Sequence, residues 1–335
     1  MAETKITNVV VPEVYSDYAM ERSIYHSALY KSGIVVRDNT IDTNLNGGAK
    51  QFTTPFWKDL IHPNNMDEVP DEEQNVGTDN IEASEFNVRR QFRVKKWGAN
   101  DMSAVLAGED PIGAITGMVE NFWYKALQNT LFASVRGVIA DNAISNAGDM
   151  ILDLTGKTGL DANISSEAII NAIFLMGDKF QEISAISMHS VPYSRLVQNN
   201  LIDFTPDSEQ NVGFGTYLGK TVILDDDQTS TIETIGEADT PVYWTTLYKR
   251  GAFGYGESAS NYLMTEVDRN PDKGGGIDFL HSRRVFALHP AGFHWVEGTL
   301  SKEFPTNTEL ATNTHWTRAY SSVKNVGFVV LKTLG

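Results

Sequence analysis

The stretch DPIGAITGMVENFWYKALQNTLFASVRGVIADNA, residues Asp110–Ala143, decides how the rest of the chain is organised. Asp110 is a good helix N-cap, and Pro111 suits the first helical position. Apolar residues then recur at helical spacing: Ile112, Ile115, Val119, Phe122, Ala126, Leu131, Val135 and Val138. The pattern predicts an amphipathic helix of roughly 45 Å, at ~1.5 Å per residue. Such a helix is typical of a strut rather than of a compact core, and Gly137 should weaken its last turns.

Composition limits the classes of protein to which the chain can belong. Of 335 residues, 41% are hydrophobic and 21% are charged, which are ordinary values for a globular protein. The 43 acidic and 27 basic residues leave a formal charge of −16, so the surface repels nucleic-acid phosphates and anionic membranes. Without cysteine there are neither disulfides nor thiolate metal sites. With no apolar run near ~18 residues and no signal-peptide pattern, we expect a soluble protein made in a cytoplasm, without a membrane partner.

Two segments in the first third of the chain predict a long β-hairpin over Gly47–Trp97. Its strands are expected at Gln51–Trp57 and Glu85–Trp97. In the second strand, polar residues alternate with an apolar set, Phe86, Val88, Phe92 and Val94, which is the period of a half-buried strand. A two-stranded hairpin is marginal alone in water, so we expect another surface to cover this stripe. Residues 1–36 predict a preceding arm that docks on its own domain or on a partner.

Charge is segregated along the same hairpin. The tip is acidic, with Asp67, Glu68, Asp71, Glu72, Glu73, Asp79 and Glu82, and five bases follow on the return strand. Two interpretations stay open: a solvated acidic loop beside an ordinary basic strand, or an acidic tip that meets the basic strand of another copy. On the second interpretation the predicted inter-subunit contacts are Asp71, Glu72, Glu73, Phe86, Val88, Arg89, Arg90, Phe92, Arg93, Val94, Lys95 and Lys96.

The remainder of the chain predicts a mixed α/β unit. Helices are expected at Ser165–Glu182 and Ser190–Asn199. Strands are expected at Ala185–His189, Thr221–Leu224, Val242–Leu247, Phe279–His289 and Asn325–Leu331. The glycines at positions 251, 254 and 256 predict a flexible turn.

Three patterns invite a chemical interpretation, and each has a simpler alternative. Gly213–Thr221 resembles a phosphate loop, but Phe214 occupies the position where that loop requires its first glycine, and a strand follows instead of a helix. Asp225, Asp226 and Asp227 favour a solvated turn over a cation site. The C-terminal histidines, His281, His289, His294 and His315, lack the spacing of a zinc motif. We therefore predict no catalytic, cofactor or metal residues, and keep a metal-dependent enzyme using these histidines as an alternative from another class.

A series of short motifs carries a resemblance that covers the chain from about Tyr15 onward. In order, they are Ala185-Ile-Ser-Met-His189, Tyr193-Ser-Arg-Leu196, Asn199-Asn-Leu201-Ile202, Tyr217-Leu-Gly219-Lys220-Thr-Val-Ile-Leu-Asp225-Asp226, Tyr248-Lys-Arg-Gly251-Ala-Phe-Gly254-Tyr-Gly256, His289-Pro-Ala-Gly292-Phe-His-Trp295 and Lys324-Asn-Val-Gly-Phe-Val-Val330. With the arm, the charged hairpin and the long helix, this order resembles the major capsid proteins of tailed bacteriophages. Their fold is named after phage Hong Kong ninety-seven.

The resemblance implies an α+β fold divided into named parts. They are an N-terminal arm (1–36), an extended E-loop hairpin (37–98), a P-domain with a long spine helix (99–146), an α/β A-domain (147–258), P-domain return strands (259–300) and a C-terminal segment that returns to the A-domain (301–335).

The same resemblance implies the function of an icosahedral shell subunit. Hexamers and pentamers of one chain would enclose the phage genome within the virion, after assembly in the bacterial host cytoplasm, and the packaged DNA would touch the shell only loosely. The start of the chain leaves no room for a built-in scaffolding segment, so we expect a separate scaffold protein, together with a portal; a decoration protein is left open. An encapsulin-type compartment shell is the alternative within the same class.

Overall fold

A computed structural model of the chain describes residues 32–57, 83–100, 111–199, 201–206, 212–226, 229–235, 238–258, 264–272, 276–320 and 322–335. Over these ranges the α-helices are α1 (Asn39–Asn46), α2 (Pro111–Ser145), α3 (Ser166–Ile173), α4 (Ser190–Gln198) and α5 (Asn307–Leu310). The strands are β1 (Val35–Arg37), β2 (Gln51–Trp57), β3 (Ala83–Arg89), β4 (Gln91–Asn100), β5 (Ile151–Asp153), β6 (Ile183–Met188), β7 (Asp203–Pro206), β8 (Val212–Tyr217), β9 (Lys220–Leu224), β10 (Ser230–Ile235), β11 (Ala238–Lys249), β12 (Phe253–Glu257), β13 (Thr265–Asn270), β14 (Ile277–Pro290), β15 (Phe293–Trp295), β16 (Trp316–Arg318) and β17 (Phe328–Thr333). The predicted α+β class is confirmed.

The long helix is present and unbroken. α2 has 35 residues, which corresponds to about 52 Å at ~1.5 Å per residue. The proposed cap Asp110 lies outside the described residues. Burial changes along the helix: Met118 and Phe122 are exposed, whereas every residue from Thr130 to Val135 is buried. The strut interpretation was therefore wrong for the second half of the helix, which is part of the core.

Gly137 has the opposite role from the one predicted. An added Cβ there would overlap the carbonyl oxygen of Leu310 and the indole ring of Trp316. The Trp316 indole N–H donates to that same carbonyl at 2.7 Å. The glycine therefore lets the segment that carries α5 lie directly on α2. It marks a tight packing contact, not a frayed helix end.

The larger sheet has eight strands and is mixed. Its order is β5-β17-β11-β6-β9-β8-β7, with β10 added along β11. The pairs β5–β17 and β6–β9 are parallel, and the other pairs are antiparallel. The predicted last strand is confirmed as buried, although it begins at Phe328. It lies between β5 and β11, so the chain end completes a sheet whose other strands come from residues 151–249.

An aromatic cluster joins this sheet to the rest of the molecule. The ring of Phe328 lies 5.8 Å from Phe253 on β12, and 6.0 Å from both Tyr248 and Phe293. All four side chains are buried. Because β12 belongs to the second sheet, one core is shared by both sheets.

The second sheet has five strands and supports the first half of α2. Its order is β1-β12-β14-β13, and β4 pairs along the other side of β14. The Trp123 indole N–H on α2 donates to the Ser282 hydroxyl on β14 at 2.9 Å. The guanidinium of Arg284 lies over the same indole at 5.1 Å. The resemblance implied one A-domain over residues 147–258. β12 lies within that range, but it pairs in this second sheet and not in the larger one.

The glycine-rich segment before residue 258 forms a strand. Only Gly251, with φ +70°, lies in the turn. Gly254 and Gly256 lie in β12, where an added Cβ would crowd Ile41 of α1. The Asp42 carboxylate of α1 then accepts from the Glu257 backbone N–H at 2.8 Å. The flexible-turn prediction was wrong because these glycines let a helix cross the strand at close range.

A second expected helix is divided. The predicted helix Ser165–Glu182 is α3 followed by a 3₁₀ segment, Phe174–Glu182. The break lies at Gly177, whose φ of +57° and ψ of −131° are not helical. The predicted helix from Ser190 is confirmed as α4. No helix in the described part of the chain is long and apolar enough to cross a membrane.

Candidate assembly surface

The base of the predicted hairpin is present. β2 and β3 pair antiparallel, from Gln51 with Arg89 to Trp57 with Ala83, and form a two-stranded sheet of their own. Residues 58–82, which include Asp71, Glu72, Glu73 and the rest of the predicted acidic tip, lie outside the described residues. The described hairpin ends at Trp57, whose side chain is 72% exposed.

The return strand is interrupted at Arg90. β3 ends at Arg89 on the hairpin, and β4 begins at Gln91 on the five-stranded sheet. The Arg90 backbone N–H donates to the Lys50 carbonyl at 3.0 Å, and its guanidinium donates to the Leu45 carbonyl. Arg89 and Gln91 are both buried, at 7% and 1% exposure. The prediction of one strand with one uniform period was therefore wrong.

Two of the four apolar residues predicted to form the stripe pack against other residues of the same subunit. Val88 is 1% exposed and packs with Ile41, Leu45 and Ala287. Phe86 stacks on Phe56 of β2, with ring centroids 4.0 Å apart. The expectation that these side chains lack cover within their own subunit is therefore corrected.

The other two stripe residues differ from each other. Phe92 is partly buried, and its ring lies 5.8 Å from Phe304. Val94 is 50% exposed, because beyond Arg90 the side of the strand that carries it faces away from α2. Only Val94 of the four keeps a large exposed apolar surface.

Two arginines of the predicted basic strand form contacts within the subunit. Arg89 donates through one nitrogen to both carboxylate oxygens of Glu297, at 3.0 and 3.1 Å, and through the other to the Glu303 carbonyl at 2.8 Å. Arg93 donates to the Asn307 side-chain oxygen at 3.1 Å. These bases fix the end of the hairpin to the segment that follows β15.

The two lysines of β4 remain exposed on opposite faces of the strand. The Lys95 ammonium lies 5.9 Å from the ring centroid of Phe122 on α2. The Lys96 ammonium lies 3.6 Å from that of Phe279 on β14. Val94 is exposed on the same face as Lys96, and we call the three exposed side chains along this strand, Val94, Lys95 and Lys96, the β4 surface, although it spans both faces of the strand.

The apparent phosphate loop is the turn of a hairpin. Leu218 and Gly219, with φ of +50° and +71°, connect β8 to β9. Its lysine, Lys220, donates from its ammonium to the Ile183 carbonyl at 2.5 Å, and burial lowers its pKa. The lysine is therefore used inside the fold.

The neighbouring aspartates are structural. The Asp225 side chain, 8% exposed, accepts from the Gln128 side chain of α2. The Asp226 carboxylate accepts from the Ser190 backbone N–H at 2.7 Å, which caps α4 and lowers the pKa of Asp226. The prediction of a solvated turn was wrong for Asp225, which ties α2 to the larger sheet; Asp227 lies outside the described residues.

Comparisons with known proteins agree over most of the chain. The sequence profile of the family described as "Major capsid protein 13-like" matches residues 54–330. The major capsid protein of Bacillus phage SPP1 is 32% identical over 326 residues, which are 97% of this chain and 96% of that protein. The chain belongs to this family of phage major capsid proteins. It is a structural component of the virion, and these matches favour a phage shell over a compartment shell.

Solved structures support the same fold for this capsid protein. The capsid of Ralstonia phage GP4 matches with a TM-score of 0.59 and 10% identity, and the match covers 92% of this chain and 89% of that chain. The cyanophage Pam1 capsid matches with a TM-score of 0.54 and 10% identity, over 87% of each chain. The fold expected from the resemblance, that of phage Hong Kong ninety-seven, is the one found among these capsids.

The C-terminal histidines of the capsid protein have packing roles. The His289 Nε2 lies 2.8 Å from the Phe293 carbonyl oxygen, and the His315 ring stacks on Trp295 at 4.9 Å. His294 lies 5.7 Å from the ring of Phe86. No group of three metal-ligating side chains occurs among the described residues. These contacts give His289, His294 and His315 a structural role in packing.

We expect His289 to make folding sensitive to mild acid. Burial lowers the pKa of His289 to about 4, while the unfolded chain titrates near 6.5. As the pH falls from about 6.5 to 4, the unfolded state binds a proton that the folded state does not, so stability falls by up to about 3 kcal/mol. Denaturant unfolding at steps between pH 7 and 4 should show this slope, and His289→Gln should reduce it. An unchanged slope in the variant would assign the acid sensitivity to other groups.

Proposed function

We propose that the capsid protein assembles into the hexamers and pentamers of an icosahedral shell that encloses the phage genome. The observation that carries this proposal is the hairpin of β2 and β3, a separate two-stranded sheet that ends in an exposed Trp57. A two-stranded sheet is marginal unless another surface supports it. Its base lies on its own subunit, so we assign its outer part to a neighbour. Assembly would take place in the bacterial host cytoplasm.

We divide the twelve residues predicted as contacts into two groups, according to whether the structure gives each one a contact that anchors the hairpin within the subunit. The first anchors the hairpin within one subunit and comprises Phe86, Val88, Arg89, Arg90, Phe92 and Arg93. The second is proposed to meet a neighbouring copy and comprises the β4 surface, with Val94, Lys95 and Lys96, and the acidic tip residues Asp71, Glu72 and Glu73.

Charge supports this pairing between copies. The chain carries a net charge of −16, so two subunits repel one another unless opposite charges are brought together locally. If the acidic tip of one copy lay on β4 of its neighbour, where Lys95 and Lys96 are exposed, opposite charges would be brought together. The same net charge supports only loose contact with packaged DNA. A separate scaffold protein and a portal stay predictions from the resemblance, and a decoration protein stays open.

Reversing the acidic tip tests the proposed pairing. We expect the triple variant Asp71→Lys, Glu72→Lys and Glu73→Lys to fold normally but to assemble slowly or incorrectly at low salt. The difference from the wild type should shrink above ~0.1 M salt, where charges more than ~10 Å apart are screened. Light scattering during assembly measures the rate, and circular dichroism checks folding.

A matched control separates position from net charge. The triple variant Asp161→Lys, Glu167→Lys and Asp272→Lys changes the same number of charges at exposed sites elsewhere. It should assemble at nearly the wild-type rate. Equal slowing by both triple variants would mean that net charge alone governs assembly, and would contradict the pairing.

A further inference from the structure

The segment 296–310, which we call the strap, connects parts of the molecule that are otherwise far apart in sequence. It begins after β15 and ends with α5. At its start it holds the end of the hairpin, because Glu297 and the Glu303 carbonyl both accept from Arg89. The Glu303 carboxylate also accepts from the Lys50 ammonium, 3.0 Å away and just before β2. Both strands of the hairpin are thus tied to the strap at their base.

The other end of the strap lies on the long helix. The Asn307 side-chain oxygen accepts from Arg93 of β4 at 3.1 Å and lies 3.3 Å from the Thr130 hydroxyl of α2, whose single proton is shared with the Ala126 carbonyl 2.9 Å away. The Leu310 carbonyl oxygen lies where a side chain at Gly137 would be. One segment of 15 residues therefore contacts the hairpin, the five-stranded sheet and α2.

The strap is internally braced. The Glu309 carboxylate accepts from the backbone N–H groups of Ser301 at 2.6 Å and Thr306 at 2.8 Å. These bonds hold the pKa of Glu309 at about 2. Thr306 in turn caps α5 and completes a capping box with Glu309. These bonds tie residues 301, 306 and 309 of the strap to one another.

A single residue joins the hairpin to the five-stranded sheet, and a cleft lies beside the hairpin. A single residue, Arg90, separates β3 on the hairpin from β4 on the five-stranded sheet. Beneath the hairpin lies an open cleft of about 690 Å³. Thr54, Phe56 and Phe86 line the hairpin side, and Val36 and Arg37 are among the residues on the opposite wall. Among the described residues, the hairpin is attached at its base by Arg89 and Lys50, and Phe56 and Phe86 also lie against Tyr320, with ring centroids 5.4 and 6.1 Å away.

We propose that the strap couples the angle of the hairpin to the packing of the long helix. Turning the hairpin about Arg90 pulls on Glu297 and Glu303, and the braced strap transmits that displacement through Asn307 and Leu310 to α2. Because a coupling free energy is reciprocal, loosening the strap from α2 must also loosen the hairpin. The proposal concerns a single subunit, so it stands or falls separately from the pairing of copies.

Hydrogen exchange on the full-length, unassembled subunit tests this coupling. Gly137→Ala pushes Leu310 off α2 but touches no hairpin residue. We expect the backbone amides of β2 and β3 to exchange about tenfold faster in this variant, as local opening becomes easier. Lys302→Ala, at an exposed position within the strap, is the matched control and should leave exchange unchanged.

A second variant covers the case in which Gly137→Ala does not fold. Asn307→Ala removes the bonds to Arg93 and Thr130 without introducing overlap, and the same acceleration is expected in β2 and β3. In the reverse direction, Arg89→Gln should accelerate exchange in α5. If faster exchange in these variants stays next to the substituted residue, the strap is only a local brace and the proposal is overturned.

Discussion

Val135→Pro is expected to leave the capsid protein unable to fold. Val135 is 2% exposed and ends the stretch of α2, from Thr130 to Val135, in which every residue is buried. Proline removes a helical hydrogen bond and its ring clashes with the preceding turn, at a cost of about 3 kcal/mol or more. The kink would also displace the core residues around it, and total stabilities are only about 5–15 kcal/mol. Circular dichroism and solubility of the expressed chain measure the outcome.

The variant Val135→Ala is the control for lost side-chain packing. It should fold with a free energy of unfolding lower by about 2 kcal/mol, because two buried carbon groups are removed. A proline variant that unfolds as cooperatively as the alanine variant, with the same helix content, would contradict the description of α2 as one continuous core helix.

Phe328→Ala is expected to cost about 3–5 kcal/mol of stability, the range for a buried Phe replaced by Ala. Its ring is fully buried among Tyr248, Phe253 and Phe293, where both sheets meet. The cavity left by the ring would therefore weaken the packing between the two sheets, in addition to the loss of buried apolar surface. Urea unfolding monitored by tryptophan fluorescence gives the free energy of unfolding.

Phe174→Ala is the matched control for this second prediction. The Phe174 ring is 54% exposed beside Phe180, so its removal should cost less than about 1 kcal/mol. If Phe328→Ala cost no more than Phe174→Ala, the two sheets would not share a core at this point.

The sequence predicted the existence of elements better than their surroundings. The 3.6-residue period of α2 is local information, and it was sufficient to place one long helix. Whether the other faces of α2 are buried depends on which distant segments of the chain pack against them. The segment around Leu310 covers Gly137, and nothing near residue 137 in the sequence announces it.

The hairpin was predicted, but its division between two sheets was not. Apolar residues alternate with polar ones on both sides of Arg90, and the prediction joined the two runs across the three polar residues Arg89–Gln91. The break at Arg90 depends on pairing partners: β3 pairs with β2, while β4 pairs with β14 almost 190 residues later. The available signal was Arg90 itself, a polar residue at a position of the stripe where the alternation requires an apolar one.

The glycines of β12 were misinterpreted for a similar reason. Glycine permits both turns and close approach, and spacing alone does not separate the two uses. Gly254 and Gly256 are two residues apart, so in a strand they point to the same face, where Ile41 of α1 lies. A period of two between glycines was therefore the available signal for a strand crossed by a helix.

Electron cryomicroscopy of assembled particles tests the central claim most directly. We predict closed icosahedral shells in which the hairpin of each subunit, beyond Trp57 and Ala83, lies against a neighbouring copy. The acidic residues Asp71–Glu73 should then be within reach of the partner's β4 surface. Shells in which residues 58–82 contact only their own subunit, with Lys95 and Lys96 facing no other copy, would contradict the account.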